Sequence, residues 1–223
     1  MSTRMRLFVS TVLLSFIAAL PAAAAARTET REVAAFQGIA LSAPIRVDLA
    51  LGERESVVLE GDEAMLAVLE TTVEDGTLRI GVKRGARSWG SDPHGIDKVR
   101  ARVTARRIQA LAIHGAGDIR SAALRGDTLA VSIAGSGDVK IDGGKVDSLT
   151  ISISGSGDIK AGRLEARSVA VSIAGSGDAT VWARESLAVK VAGSGDVGYY
   201  GDPTIARTIA GSGGIKRLGA APA

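Results

Sequence analysis

Residues 149–160 read LTISISGSGDIK, an alternating apolar stretch that runs into the tetrapeptide Gly-Ser-Gly-Asp. Copies of the tetrapeptide span positions 115–214, and successive copies begin 20, 20, 20, 18 and 18 residues apart. The first copy has Ala in place of Ser, and the last, at 211–214, ends in Gly instead of Asp. Because each of the first five copies follows an alternating apolar stretch, the repeat indicates stacked supersecondary units.

A period of two between apolar residues, as at Leu149, Ile151 and Ile153, is typical of strands. A strand, a glycine turn and a second strand, repeated every 18–20 residues, match the length of one β-solenoid coil. One coil cannot bury its apolar face alone, so stacked coils share an interior column of aliphatic residues. A meander of hairpins is the alternative, but it would turn about every 8–12 residues. We predict an all-β fold, a parallel and right-handed β-solenoid with 18–20-residue coils.

The repeated turn is predicted to have a structural role. Glycine adopts the positive φ of a tight corner, and Ser or Asp side chains can hydrogen-bond to local backbone amides. The structural turn glycines are Gly115, Gly117, Gly135, Gly137, Gly155, Gly157, Gly175, Gly177, Gly193, Gly195, Gly211 and Gly213.

Stacking also places one acidic residue of each coil in a column. The column contains Asp118, Asp138, Asp158, Asp178 and Asp196. Calcium takes about 6–8 oxygen ligands, whereas each coil offers one Asp, and a base follows two positions later at Arg120, Lys140 and Lys160. We therefore favour a solvated charge ladder without a metal, with a calcium-stabilised surface module as an alternative.

Residues 27–108 are β-rich but lie outside the repeat. Asp62 to Glu70 has helical spacing with Asp62 as N-cap, which predicts one short helix, and residues 84–97, with Trp89, Pro93 and His94, are predicted to form a loop. We expect less regular coils over 27–108 that cap one end of the core. Residues 27–219 are then one continuous domain, with regular coils over 109–219 and a tail at 220–223.

Residues 1–26 are similar to a secretory signal peptide. A basic segment with Arg4 and Arg6 precedes an uncharged apolar stretch and a small-residue cleavage site before Arg27. Cleavage removes two of the 27 basic residues, which leaves 25 against 24 acidic residues. This balance argues against a nucleic-acid partner. We expect export to the periplasm or the cell surface, and no integral membrane segment after processing.

Few residue types suggest catalysis. Cysteine is absent, which excludes disulfides and thiolate metal sites. The two histidines, His94 and His114, are not accompanied by a Gly-x-Ser-x-Gly elbow, so no catalytic residue and no cofactor are predicted. Only 3% of residues are aromatic. Trp182, Tyr199 and Tyr200, near the end of the repeat, form a candidate ligand surface for carbohydrate.

Three segments carry a family resemblance. Residues 33–39 read VAAFQGI, residues 74–80 read EDGTLRI, and the Gly-Ser-Gly-Asp copies follow them in order. Over about residues 33–218 the chain resembles the bacterial family called putative auto-transporter adhesin, head GIN domain. The resemblance implies a secreted β-helix-like domain without catalytic residues.

From the residues and the resemblance together we expect a non-enzymatic, exported, adhesin-like or envelope-associated binding or structural protein. Its partner would be an envelope protein or a polysaccharide, and a homo-oligomer is compatible with the sequence. The alternative function is a carbohydrate-binding or carbohydrate-active β-helix.

Overall fold

A computed structural model describes residues 27–85 and 95–222. It contains seventeen strands and one α-helix in these ranges. The N-terminal part consists of β1 (Arg27–Arg31), β2 (Gly38–Leu41), β3 (Arg46–Leu51), β4 (Ser56–Gly61), α1 (Glu63–Val68), β5 (Leu69–Glu74), β6 (Thr77–Val82) and β7 (Arg100–Ala105). The repeat forms β8 (Ala110–Gly115), β9 (Asp118–Ser121), β10 (Leu124–Gly135), β11 (Val139–Ile141), β12 (Gly144–Gly155), β13 (Ile159–Gly175), β14 (Ala179–Gly193), β15 (Val197–Tyr200), β16 (Thr204–Gly211) and β17 (Ile215–Gly219).

The predicted parallel β-solenoid is confirmed. Equivalent residues of successive coils pair in parallel, as in Val131 with Ile151 and Ile151 with Val171. We call the face that contains β8, β10 and β12 the front face, and the face that contains β9, β11 and β15 the back face. β13 and β14 turn the corner and contribute to both faces.

The interior of the coils is aliphatic. Ile133, Ile153 and Ile173 form one column, each almost fully buried, and Ile119, Val139 and Ile159 form another on the back face. Aliphatic side chains in identical positions stack well at the strand spacing of about 4.8 Å. This stacking explains how a core of this length forms with so few aromatic residues.

The N-terminal part stacks out of chain order. β2 pairs in parallel with both β6 and β8, and β3 pairs in parallel with both β7 and β9. The coil of β2 and β3 therefore lies between the coil of β6 and β7 and the first coil of the repeat. The connection after β7 passes the β2–β3 coil, and Gln109 donates its backbone N–H to the Gln37 carbonyl at 2.7 Å.

Antiparallel strands and the helix close the N-terminal end. β5 pairs antiparallel with β6, β4 with β7, and β1 with β4. Because α1 connects β4 on the back face to β5 on the front face, it crosses this end of the core. Its Leu66 is buried, and Asp62 caps the helix by accepting a 2.9 Å hydrogen bond from the Ala64 N–H. The short helix and its cap agree with the prediction.

The C-terminal end has no comparable cover among the described residues. β16 pairs only with β14, and β17 pairs only with β15. The signal peptide predicted for residues 1–26, and Trp89, Pro93 and His94 of the predicted loop, lie outside the described residues.

Candidate functional site

The Gly-Ser-Gly-Asp tetrapeptide forms the corner between the front and back faces. The first glycine has φ between +124° and +139° in all six copies, a conformation that essentially only glycine adopts. The second glycine is buried in the first five copies. A Cβ at Gly157 would lie 2.9 Å from Cγ2 of Ile133 in the preceding coil and would overlap the Gly137 carbonyl. From Gly135 onward the close approach of consecutive coils therefore requires the corner glycines, whereas at Gly115 only the positive φ does so.

The corner aspartates bond between coils. The Asp158 N–H donates to Oδ1 of Asp138 at 3.0 Å, and the Asp178 N–H donates to Oδ1 of Asp158 at 3.1 Å. The same bond joins Asp138 to Asp118 at 3.4 Å, Asp196 to Asp178 at 2.8 Å, and Gly214 to Asp196 at 2.7 Å. The sequence predicted a bond to a local amide, and the structure differs because stacking brings the next coil's amide within reach.

Basic side chains partly balance this column. Lys160 Nζ lies 3.6 Å from Oδ2 of Asp158, and Arg46, one coil before the column, lies 4.0 Å from Oδ2 of Asp118. Lys140 instead pairs with Asp142, at 2.8 Å. In the described part of the chain, no group of three or more His, Asp or Glu residues has a metal-binding arrangement. The geometry of the column therefore gives no argument for calcium.

His114 is the penultimate residue of β8 and lies on the outside of the front face, in register with Ala134. It lines an open cleft of about 860 Å³ together with Glu70, Glu74 and Arg79, and Glu74 and Arg79 pair at 3.0 Å. Within this cleft no nucleophile is hydrogen-bonded to the imidazole, as a catalytic triad requires.

The three candidate aromatic residues point in different directions. Tyr199 is in register with buried Val181 and packs against the core. Trp182 and Tyr200 pair on adjacent strands of the opposite, outer side. The Tyr200 ring lies against Gly162, where an added Cβ would be 3.1 Å from Cε2. The structure therefore brings Trp182 and Tyr200 together and separates Tyr199 from them, because neighbouring residues of a strand face opposite sides.

A groove of about 490 Å³ on the back face includes Tyr200. Its charged lining consists of Lys140, Asp142, Lys160 and Arg163. Lys140 and Lys160 are in register on adjacent strands, which concentrates positive charge beside the aromatic ring. From the sequence alone, these lysines are predicted only to alternate with the aspartates in a solvated charge ladder. The sequence feature that could have predicted this groove is the coil period of 18–20 residues. This period places Lys140 and Lys160 in register and stacks the segment that contains Tyr200 on the two preceding coils.

A second charged cluster lies beside Trp182. Glu165 is in register with Trp182 and accepts from Lys145 Nζ at 2.9 Å and from Arg184 at 3.0 Å. These hydrogen bonds, first from Lys145 and then from Arg184, hold the pKa of the Glu165 carboxyl below its ordinary value. The cluster joins three consecutive coils at one edge of the stack.

The fold and its surface define a class: a β-solenoid of stacked coils that presents charged and aromatic side chains on a regular outer surface. The family model described as putative auto-transporter adhesin, head GIN domain, matches residues 35–203. The chain belongs to this family, as its motifs predicted. A comparison with curated protein sequences finds no match.

Solved structures show the same fold. A putative adhesin of Bacteroides fragilis superposes with a TM-score of 0.72 at 24% identity, over 87% of this chain and 97% of that one. A putative adhesin of Parabacteroides distasonis gives 0.57 at 19% identity, over 87% and 97%. A protein of the same species described as a putative lipid binding protein gives 0.53 at 22% identity, over 86% and 96%. No helix within 27–85 or 95–222 has the length and apolar character that crossing a bilayer requires.

Proposed function

We propose that this protein is a non-enzymatic, adhesin-like binding protein exported to the cell envelope, and that it binds acidic polysaccharide in the back-face groove. Family membership supports the adhesin-like role. We infer the ligand class from the in-register pair Lys140 and Lys160, which lies beside Tyr200.

The chemistry of the groove fits an anionic sugar polymer. Both lysines are about half exposed, so their ammonium groups can contact carboxylates or sulfates without a large desolvation penalty. Their spacing follows the strand spacing of about 4.8 Å, close to the length of one pyranose unit. An aromatic ring beside the charges offers apolar contact to a sugar face. A polymer that follows the coil axis would meet a base on three consecutive coils, at Arg120, Lys140 and Lys160, before the column continues with Thr180 and Gly198.

Binding is tested with polygalacturonate as the acidic probe and dextran as the neutral one, by affinity electrophoresis of the mature protein. We expect retardation by polygalacturonate alone, weakened by salt because the contacts are ionic. Lys140→Gln with Lys160→Gln should abolish the retardation. The matched control is Arg107→Gln with Lys190→Gln, which removes the same charge from exposed positions outside the groove.

Two outcomes would contradict the proposal. Equal loss in both double variants would mean that net charge alone drives the retardation. Release of reducing ends or unsaturated products from the polymer would favour the alternative, a carbohydrate-active β-helix. Export is tested separately by N-terminal sequencing of protein from its native host, where we expect the mature chain to begin near Arg27.

A further inference from the structure

The chain has two glutamines and no asparagine, and both glutamines line one open pocket. Gln37 lies just before β2, and Gln109 lies just before β8, far away in the sequence. The pocket has a volume of about 550 Å³, within the range of about 300–1,000 Å³ that is typical of small-molecule sites. We call it the amide pocket, and it is lined by residues 35–38, 55, 75–77, 106, 107, 109 and 110.

The out-of-order stacking of the N-terminal part creates this pocket. The connection from β7 to β8 passes over the β2–β3 coil, and the turn between β5 and β6 lies on the other side of that coil. Backbone hydrogen bonds join the three segments: the Gln37 N–H donates to the Gly76 carbonyl at 2.8 Å, and the Gln109 N–H donates to the Gln37 carbonyl at 2.7 Å. The backbone that carries both amides is therefore fixed before a ligand binds, which lowers the entropic cost of binding.

The fold does not use the two amide side chains. Neither is hydrogen-bonded to any residue within 27–85 or 95–222, and Gln37 is exposed whereas Gln109 is partly buried. The residues beside Gln37 do have structural roles, because Phe36 is buried in the core, and Asp75 and Gly76 adopt the positive φ of a tight turn. Packing and turn geometry therefore explain the surroundings of the glutamines and not the glutamines themselves.

The charges of the amide pocket cancel. Its charged residues are two acids, Glu55 and Asp75, and two bases, Arg106 and Arg107. Arg106 is engaged by the protein, because its Nε donates to the Glu53 carbonyl at 2.7 Å and lies 3.6 Å from Oε2 of Glu55. Equal numbers of opposite charges give no net attraction for an anion or a cation. Unlike the back-face groove, the amide pocket therefore favours an uncharged ligand.

The polar groups of the pocket fit a sugar that carries an acetamido group. A primary amide donates through its nitrogen and accepts through its oxygen, so it can pair with both polar atoms of a secondary amide. The Thr77 hydroxyl and the Asp75 carboxylate can bind sugar hydroxyls, and Ala35 and Ala110 offer contact to the acetyl methyl group. A peptide also carries secondary amides, but its side chains need pockets of their own, and the aromatic lining residue, Phe36, is only 2% exposed.

We propose that the amide pocket is a second ligand site, which binds a neutral N-acetylated sugar through the side-chain amides of Gln37 and Gln109. The acetamido group pairs with the glutamines, and the ring hydroxyls bind Asp75 and Thr77. This site is separate from the back-face groove, and it does not depend on the function proposed for that groove.

NMR tests this site directly, because the side-chain NH2 signals of ¹⁵N-labelled protein come from Gln37 and Gln109 alone. We expect both pairs of signals to shift on titration with N,N′-diacetylchitobiose up to about 10 mM, which fills even a weak millimolar site. Cellobiose, which has the same linkage but hydroxyls in place of the acetamido groups, should leave them unchanged. Glu70→Gln is the internal control: it adds a third side-chain amide at an exposed position outside the pocket, and the signals of this amide should not shift.

Variants separate this site from the back-face groove. Gln37→Ala and Gln109→Ala should each weaken disaccharide binding about two- to tenfold, through the loss of a hydrogen bond. Their backbone amide spectra should otherwise match that of the wild type, which establishes that they are folded. Lys140→Gln with Lys160→Gln should bind the disaccharide like the wild type.

Several results would overturn the proposal. One is the absence of any shift at Gln37 and Gln109, and another is an equal shift at the amide introduced by Glu70→Gln. Unchanged affinity in both alanine variants would contradict a role of the amides. Equal shifts with a blocked trialanine peptide would identify a peptide site instead. Loss of disaccharide binding in the double lysine variant would place the sugar in the back-face groove.

Discussion

The regular coils and the N-terminal part build the same parallel sheet in different ways. From β10 to β17 each coil lies on the coil before it in sequence, and its corner fits the previous corner through identical glycines. In the N-terminal part the β2–β3 coil is enclosed by coils that follow it in the chain. The identical corners hold each coil of the repeat against the coil that precedes it in sequence. The N-terminal part lacks this corner, and there the order of the coils follows from the connections between the strands.

The capping elements follow from the same difference. β4, α1 and β5 lead the chain from the β2–β3 coil to the outside of the stack before β6 returns to it. The reversal makes β4 and β5 antiparallel to their neighbours, and antiparallel strands with a helix across them end the parallel stack. The described part of the repeat contains no such reversal, and within it β16 pairs with β14 alone.

The largest effect should come from a corner glycine inside the stack. A Cβ at Gly155 would overlap the Gly135 carbonyl, and φ there is +135°. Gly155→Ala should therefore cost about 2–6 kcal/mol, from backbone strain and overpacking of about 1–3 kcal/mol each. Urea unfolding measures the loss.

Gly115→Ala is the matched control for that substitution. Its φ is +124°, but no atom lies within 4 Å of the added Cβ, because Gly115 begins the repeat. Gly115→Ala should therefore lower the free energy of unfolding only by the backbone strain, about 1–3 kcal/mol. Equal losses at the two positions would mean that close stacking of the coils does not determine the choice of glycine.

The next largest effect should come from the interior column. Ile153→Ala leaves a cavity in a fully packed coil and should cost about 2–5 kcal/mol. Ile205→Ala at the open end should cost under about 1 kcal/mol, since its side chain is already 39% exposed. Ser152→Ala, on the outer side, should cost under about 0.5 kcal/mol. If Ile153 and Ser152 gave similar losses in denaturant titrations, the assigned faces would be wrong.

A smaller effect is expected for the corner aspartates. Asp158→Ala removes the acceptor of the Asp178 N–H and should cost about 0.5–1.5 kcal/mol. Asp158→Asn keeps an oxygen acceptor and removes one charge from a repelling column, so its stability should equal or slightly exceed that of the wild type. Thermal melts with calcium and with a chelator should coincide for all three proteins. A calcium-dependent rise confined to proteins with Asp158 would instead identify a metal site.

The smallest effect concerns the charged cluster at Glu165. The pKa of this carboxyl is lower in the folded than in the unfolded state. The ionised carboxylate therefore stabilises the fold at pH values above the unfolded-state pKa, and this contribution is lost as the pH falls through the folded-state pKa. Because the carboxyl is partly exposed, Glu165→Gln should cost under about 1 kcal/mol at neutral pH and nothing in acid. Asp127→Asn, at an exposed strand position, is the control. A constant difference between Glu165→Gln and wild type across the acid range would contradict this linkage.

The sequence by itself determined the coil. The period of two at Leu149, Ile151 and Ile153 and the recurrence of Gly-Ser-Gly-Asp predict strands, corners and parallel stacking, because identical positions must align when identical coils stack. Asp62 and the helical spacing of the residues after it predict α1, because a helix cap is an interaction between residues close together in the sequence.

Tertiary structure decided everything that depends on which coil lies next to which. The place of β2 and β3 between later coils, the bond from each Asp to the amide of the next coil, and the meeting of Lys140, Lys160 and Tyr200 in one groove all join residues far apart in the chain. That β16 has a single strand partner among the described residues is also of this kind, because its sequence resembles that of strands paired on both sides. Local chemistry sets a residue's conformation, but its neighbours across the stack are set by the path of the whole chain.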